Sequence, residues 1–368
     1  MTEKNTTLPS EKDYIRVFSD VFHLSKKPLL SGSEFDDCAA VRLDSFCRDL
    51  SLESLTFSTD TVRESTDFPS AMTMWQKGWM AAAVNLSDLA AMGSKPIAFL
   101  FSVGLPPIFS LDDAVSLARG VQDCLSFFGA EVIGGDTEVN EELTITGTII
   151  GLSENKKIFY RKNAKPGDLL CVTGNVGSAG AALFALLHST NSLPSDAFLK
   201  NLTEPFPRVF ESLMLLETEA VTSMIDTSDG LAASIYELSS LSGVGFEIDI
   251  DALPLEDEAL GVFSDQSKES AKEELIQQAL YTGGDYELLF TVSPDKLEDV
   301  KAAFQKFNAR PPNRLNEQFG KSGHFPCLFT VIGKAMVENE NVISRHSNIG
   351  LIRQPLLKKG YDSFKKYI

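Results

Sequence analysis

Short runs of alternating apolar and polar residues recur along the chain, separated by stretches in which apolar residues follow helical spacing. Strands are predicted near 55–60, 97–104, 130–134 and 143–152, with helices at about 73–92 and 110–128 between them. A further helix is predicted near Glu11–Phe22. Gly93 suits the C-terminal cap of the 73–92 helix. Ser110, with Asp113 three residues on, has the form of an N-cap followed by a favourable early-turn acid. After the polar, turn-rich segment Arg161-Lys-Asn-Ala-Lys-Pro-Gly-Asp168 the pattern begins again with Leu169-Leu-Cys-Val-Thr173. Helices are expected near 178–188, 208–220 and 230–241, and strands at 221–226, 244–250, 287–293 and 328–333. The stretch 255–279 is acidic with a helical pattern and predicts a solvated surface element. Residues 308–326, rich in Pro, Asn and Gly, predict a loop. Strands and helices alternate in both halves, which gives an α/β or α+β fold class.

Length adds a division to this picture. A single core rarely grows beyond ~250–300 residues, so 368 residues imply two domains, placed at 1–160 and 161–368. The apolar content of 43% is ordinary for a soluble globular protein. A net charge of -18 argues against nucleic acid or an anionic membrane as partner, and requires an anionic substrate to be met by metal ions or a few local cations. The five cysteines lack metal-site spacing and suggest buried thiols in a reducing compartment. The first residues lack the apolar stretch of a signal peptide, and no run of ~18 apolar residues predicts a membrane span. A cytoplasmic protein is expected. The four histidines lie outside the motifs described next, so a histidine-centred triad is not expected.

The candidate chemistry lies in aspartates that follow apolar runs. Leu55-Thr-Phe-Ser58-Thr59-Asp60, Ala130-Glu-Val-Ile-Gly-Gly135-Asp136 and Val221-Thr-Ser-Met-Ile-Asp226-Thr-Ser228-Asp229-Gly230 share this form. Asn85-Leu-Ser-Asp88 lies inside an apolar helical stretch, where Ala81, Asn85, Asp88 and Met92 share one face. Asp36 and Asp37 precede Cys38-Ala-Ala-Val41. Each motif also has a plain structural reading: a loop-bonded Asp88, an Asx turn at Asp60, a Gly-Gly turn before Asp136. Ser228 or Asp229 also suits the N-cap of the next helix. Gly174-Asn-Val-Gly177-Ser-Ala-Gly180 is not a P-loop, and tight strand–helix packing suits it better than phosphate binding. Together the acids say more. Two unit charges ~4 Å apart repel by ~4 kcal/mol at an effective dielectric of ~20, so converging carboxylates need a cation. An oxygen-only donor set selects Mg²⁺ over Zn²⁺, in a site for an anionic ligand such as a nucleoside triphosphate.

These motifs, in their order and spacing, resemble the thiamine-monophosphate kinase family, of the superfamily that includes aminoimidazole ribonucleotide synthetase and selenophosphate synthetase. The matching segments run from Asp36 to Phe364: Asp-Asp-Cys-Ala-Ala, Ser-Thr-Asp-Thr, Val-Asn-Leu-Ser-Asp-Leu-Ala-Ala-Met-Gly, Gly-Gly-Asp-Thr, Ala-Lys-Pro-Gly-Asp, Asp-Thr-Ser-Asp-Gly-Leu, Asp-Tyr-Glu-Leu and Gly-Tyr-Asp. The reactive Cys or Sec motif of selenophosphate synthetases is not found.

The resemblance implies a two-domain aminoimidazole ribonucleotide synthetase-like architecture of the α/β (α+β) class, with mixed sheets flanked by helices. It implies a homodimer paired through the N-terminal domains, and ATP-dependent phosphorylation of thiamine monophosphate to thiamine diphosphate. Carried over by position, Asp37, Ser58, Thr59, Asp60, Asp88, Asp136, Asp226 and Asp229 would hold Mg²⁺, with Asp88, Asp136 and Asp229 central to catalysis. Gly135, Asp136, Arg161 and Ser228 would contact ATP. Asp67, Gly284 and Tyr361 would border the acceptor. Four positions depart from the family pattern. Phe35 replaces a Gly, Asp67 a His, Gly284 an acid and Ser363 a His. The alternatives are a synthetase or kinase of the same superfamily acting on another phosphorylated small molecule, or a nucleotide-binding protein that has lost catalysis.

Overall fold

In the computed structural model, the residues described are 30–31, 39–42, 53–154, 158–188, 194–263, 266–312, 315, 327–347 and 350–361. The first half builds a six-stranded sheet in the order β1-β2-β3-β6-β4-β5. Its strands are β1 (Leu30–Ser31), β2 (Ala39–Arg42), β3 (Glu53–Arg63), β4 (Lys95–Leu105), β5 (Glu131–Val139) and β6 (Thr144–Glu154). Its pairs are antiparallel except for β4 with β5, which are parallel. Helices α1 (Met74–Ala91) and α2 (Leu111–Phe128) belong to this half.

The second half carries a seven-stranded sheet in the order β13-β12-β9-β11-β7-β10-β8. Its strands are β7 (Leu169–Thr173), β8 (Val221–Asp226), β9 (Gly245–Asp249), β10 (Leu288–Val292), β11 (Phe329–Met336), β12 (Val342–Ser347) and β13 (Gly350–Pro355). Its helices are α3 (Ser178–Leu187), α4 (Asp196–Thr203), α5 (Val209–Thr218), α6 (Leu231–Ser242), α7 (Asp257–Val262), α8 (Lys268–Tyr281) and α9 (Leu297–Ala309). Among the described residues no helix is long and apolar enough to cross a membrane.

Helix α1 occupies the centre of the molecule because it is apolar on nearly every face. Thr73 and Gln76 close a capping box at its start, and Met92 with the left-handed Gly93 ends it. Trp79, Leu86 and Leu89 join Phe99, Phe127 and Phe128 of the first half and Phe206, Leu215, Met224 and Phe290 of the second in one continuous core. Trp79 Nε1 donates to the Pro205 carbonyl at 2.8 Å, fixing the helix to the second half.

The main strands and helices fall where alternation places them, and Ser110 caps α2 as expected, accepting from the Asp113 amide. Several differences are physical. Strands β3, β4 and β6 each run 11 residues, beyond the predicted bounds, and in β3 and β6 polar residues such as Thr61 and Ser153 continue the pleat. The acidic stretch 255–279 is not a solvated surface element. Its helices α7 and α8 bury Ala259, Val262, Ala271, Leu275, Ile276 and Leu280. The strands β1, β2, β12 and β13 and the helices α4 and α9 were not expected from the pattern. The helix expected near 11–22 and most of the 308–326 loop lie outside the described residues.

Candidate active site

Helix α1 meets the second half at the carboxylates. Ser87, wholly buried, donates from Oγ to Oδ2 of Asp226 at 2.6 Å across 139 residues of chain. Ser228 donates to the other oxygen, Oδ1, at 3.1 Å. Asp226 is only 3% exposed. A carboxylate this buried requires such hydroxyl donors, and bonds to a charged acceptor are the stronger kind. The next residue of α1, the half-buried Asp88, accepts from the Ser58 hydroxyl on β3. The buried Asn85 spends its amide on the Ala81 carbonyl at 3.0 Å and accepts from the Asp60 amide at 3.2 Å, which holds β3 against the helix. Thr59 donates to the Gly147 carbonyl at 2.7 Å and accepts from Thr148.

A second loop enters from the other half. Gly284 has φ +104°, a backbone region that favours glycine, and its N–H is spent on the Ser228 carbonyl at 2.9 Å. Asp285 accepts from the amides of Gly177 and Ala179 at 2.7 and 3.0 Å. Burial outweighs these bonds and pushes its carboxyl up to about 7. Glu287 is clamped by the Arg208 guanidinium at 2.7 and 2.6 Å and by Thr173 at 2.6 Å. Between them Tyr286 adopts φ +50°, which costs a non-glycine residue about 1–2 kcal/mol. Its ring packs on the first-half core beside Val62, Phe68, Met80 and Ile145. Burial pushes its phenol well up, and the carboxylates of Asp60, Asp226, Asp67 and Asp229 push it further. Behind this loop lies a cavity of about 400 Å³. Two of its lining carboxylates, Glu256 and Glu258, accept from Ser178 and Asn201 and from the Ser195 amide.

The Tyr286 loop is thus joined to the Asp226–Gly230 segment through the Gly284–Ser228 and Glu287–Thr227 bonds, and Ser58 and Asp88 lie together across the Asn85 bridge. Asp67, in the turn after β3, accepts from the Arg63 amide at 2.8 Å, from Thr66 at 2.6 Å and from the Tyr361 hydroxyl at 3.5 Å. The Tyr361 amide donates to the Asp229 carbonyl at 3.0 Å. Asp136 is not brought into this group by sheet geometry. It pairs in register with Ser102, which pairs with Thr146, which pairs with Thr61. Three strand spacings of ~4.8 Å put it about 14 Å from β3 along the sheet. Gly135 lies within β5 rather than in a turn, and a Cβ there would meet the Phe101 carbonyl oxygen at 1.7 Å. Arg161 is half-buried in the connector, its carbonyl accepting from Ser242 at 3.2 Å. Asp37, with Phe35 and Ser363, lies outside the described residues.

Three readings need correction. Of the acids on strands β3, β5 and β8, only Asp226 ends its strand, whereas Asp60 and Asp136 sit inside longer ones. Neither Ser228 nor Asp229 caps α6, whose N-cap is Gly230 with no side-chain bond. The carboxylates were expected to converge, but among the described residues no three His, Cys, Asp or Glu side chains form a group able to hold a metal ion. The packing reading of Gly174–Gly180 agrees with the structure: the anion at the start of α3 is Asp285 itself. The residues missed by sequence reasoning are Ser87, Asn85 and Tyr286. Each stood in a quoted motif. The partners that define them lie on other elements.

Residues 35–153 match the family model described as AIR synthase related protein, N-terminal domain, and residues 165–312 match its C-terminal domain counterpart. Thiamine-monophosphate kinase of Methanospirillum hungatei is 37% identical over 265 residues, covering 72% of this chain and 82% of that protein. The structure of AaThiL complexed with AMPPCP and TMP superposes with a TM-score of 0.76 over 98% of this chain and 100% of that one, at 23% identity, a likeness of fold. The thiamine-monophosphate kinase structure from Stenotrophomonas maltophilia gives a TM-score of 0.68 at 26% identity over 90% of this chain and 94% of that one.

Proposed function

The chain belongs to the thiamine-monophosphate kinase family of AIR synthase related proteins, and from that premise we propose that it transfers the terminal phosphoryl group of ATP to thiamine monophosphate, giving thiamine diphosphate and ADP. The observation that carries this reading to the site is the meeting of β3, α1 and the Asp226–Gly230 loop, which gathers acids and hydroxyls from both halves. The acceptor is itself a phosphate with a second pKa of ~6. It is ionised near pH 7 and attacks in line without a general base. What the reaction requires is positioning and relief of charge between two polyanions. A site rich in oxygen donors and poor in histidine suits that task.

The donor set fits Mg²⁺. This ion usually takes one or two carboxylates and completes its shell with phosphate oxygens and water, so a closed cage is unnecessary. Asp88, Asp136 and Asp229 are proposed as central, with Asp37, Ser58, Thr59, Asp60 and Asp226 completing the metal-binding set. When bound, Mg²⁺ supplies charge neutralisation at the phosphate oxygens. Gly135, Asp136, Arg161 and Ser228 are assigned to ATP, and Asp67, Gly284 and Tyr361 to the acceptor. We assign residues 1–160 to nucleotide binding and dimerisation and residues 161–368 to completing the site, in a cytoplasmic homodimer. The edge strand β5, exposed along its whole length, supports the dimer.

A coupled assay tests the function. Purified protein should form thiamine diphosphate and ADP from thiamine monophosphate, leave thiamine itself unphosphorylated, and stop when a chelator removes divalent ions. Absence of turnover across realistic acceptor concentrations would overturn the reading. Asp67 and the side-chain-free Gly284 favour a second one, a superfamily enzyme for another phosphorylated small molecule. Nucleotide hydrolysis stimulated by a different acceptor would select it.

A further inference from the structure

Three non-glycine residues among those described have positive φ: Asn163, Glu219 and Tyr286. Asparagine tolerates this region, and Glu219 closes helix α5. Tyr286 has neither reason. Its conformation is imposed by its neighbours: Asp285 is bonded to the start of α3, and Glu287 to Arg208 and Thr173. The Thr227 amide donates to the Glu287 carbonyl and the Glu287 amide to the Thr227 hydroxyl, which ties the same loop to the Asp226–Gly230 motif. Anchors on both sides thus turn one aromatic ring out of the second half and onto the core of the first.

The ring's surroundings are one-sided. The carboxylates weighing most on its hydroxyl are Asp60, Asp226, Asp67 and Asp229. They are acceptors only when ionised. The hydroxyl nevertheless makes no hydrogen bond among the described residues. A half-buried donor in a strained backbone, with no hydrogen bond to a described residue, is open to an acceptor oxygen from outside the protein. A phenol's ordinary pKa is about 10, so near pH 7 the hydroxyl is a donor. The Tyr286 ring packs on the cluster that holds Phe68, the neighbour of Asp67, and the Tyr361 hydroxyl reaches Asp67. Asp136 lies three strands away.

We propose that the Tyr286 hydroxyl is a substrate contact, donating a hydrogen bond to a phosphate oxygen of the acceptor where that group enters between Asp67 and Asp226. The proposal rests on the kinase reading above and adds a residue to it. Without this donor, a phosphate at that position would face carboxylate oxygens. With it, one phosphate oxygen is held and the acceptor is oriented for in-line attack.

The test is Tyr286→Phe in the full-length chain, which keeps the ring and its packing and removes only the hydroxyl. Steady-state rates are measured with thiamine monophosphate varied at saturating Mg²⁺–ATP, and then with ATP varied. Calorimetry measures thiamine monophosphate binding to both proteins without turnover. The expected result is a loss of tenfold or more in kcat/KM for the acceptor and a matching loss in its affinity. KM for ATP should stay within twofold and the thermal midpoint should be unchanged. Equal acceptor affinity and kcat/KM in the two proteins would overturn the contact, as would an equal loss toward both substrates. A wild type that binds thiamine monophosphate without phosphorylating it would sink the kinase reading alone, leaving the binding comparison to judge Tyr286. A wild type that binds none overturns both.

Discussion

Asp88 is the carboxylate whose replacement separates chemistry from folding most cleanly. It is half-buried on α1, and its described bond is from the Ser58 hydroxyl, which the carbonyl oxygen of an asparagine can also accept. Asp88→Asn therefore keeps the Ser58 bond while removing the charge that the metal–phosphate reading requires. The expected outcome is a fall in turnover on the order of 10²–10³-fold, the scale of losing one electrostatic contact to a transition state. Circular dichroism and the thermal midpoint should match wild type. Wild-type turnover in this variant would remove Asp88 from the site. Asp226 is the contrasting residue: it is deeply buried and bonded to both Ser87 and Ser228. A change there would confuse loss of stability with loss of chemistry.

At the scale of elements, the Gly283–Glu287 loop stores a pH response. The Asp285 carboxyl, ordinarily near 4, is pushed up to about 7 by burial against the start of α3. Below the ordinary value it is protonated both folded and unfolded. As pH rises from about 4 to 7, the unfolded chain gives up the proton first, so folding loses stability over that window and levels off above it, on the order of a few kcal/mol in all. Asp285→Asn lacks this contribution. The thermal midpoint of wild type relative to the variant should therefore fall between pH 5 and 7, and a difference independent of pH would show that Asp285 is not shifted. Elements of this kind also mark what was legible in the sequence. Helix α1 was legible because its capping box, apolar repeat and Gly93 are all local. The aspartate motifs were legible for the same reason. The β12–β13 hairpin was hidden because Arg345, His346 and Arg353 break its alternation, and Arg353 finds its partner, Glu247, on β9. The positive φ of Tyr286 was hidden because it is enforced from Gly177, Ala179 and Arg208, far away in sequence.

For the whole molecule, the unequal finish of its sheets bears on assembly. The first sheet ends in β5, nine residues exposed throughout and paired on one side with β4. Val132, Ile133 and Val139 on this strand and Ile97 and Leu100 on β4 are exposed apolar side chains, with Ile133 at 60% and Val139 at 76%. A long edge strand bearing unpaired N–H and C=O groups and apolar side chains is a template for another chain unless charge or cover blocks it. The charges that β5 does carry, Glu131, Asp136 and Glu138, are all acidic, and the whole chain is at -18. Two copies would therefore meet through the apolar positions, with the acids directed away from the seam or toward a cation. Ile133→Glu places another negative charge in the middle of that face on each copy. The native chain should sediment as a dimer at micromolar concentration, and this variant should shift toward monomer. Its thermal midpoint at high dilution should stay close to that of the diluted native protein, because Ile133 is exposed in the single chain. A native protein that sediments as a monomer, or a variant that stays dimeric, would place the interface elsewhere or remove it. If Asp136 is used in the site, the monomeric variant should also lose activity, since β5 then needs the partner's support to hold that carboxylate in place.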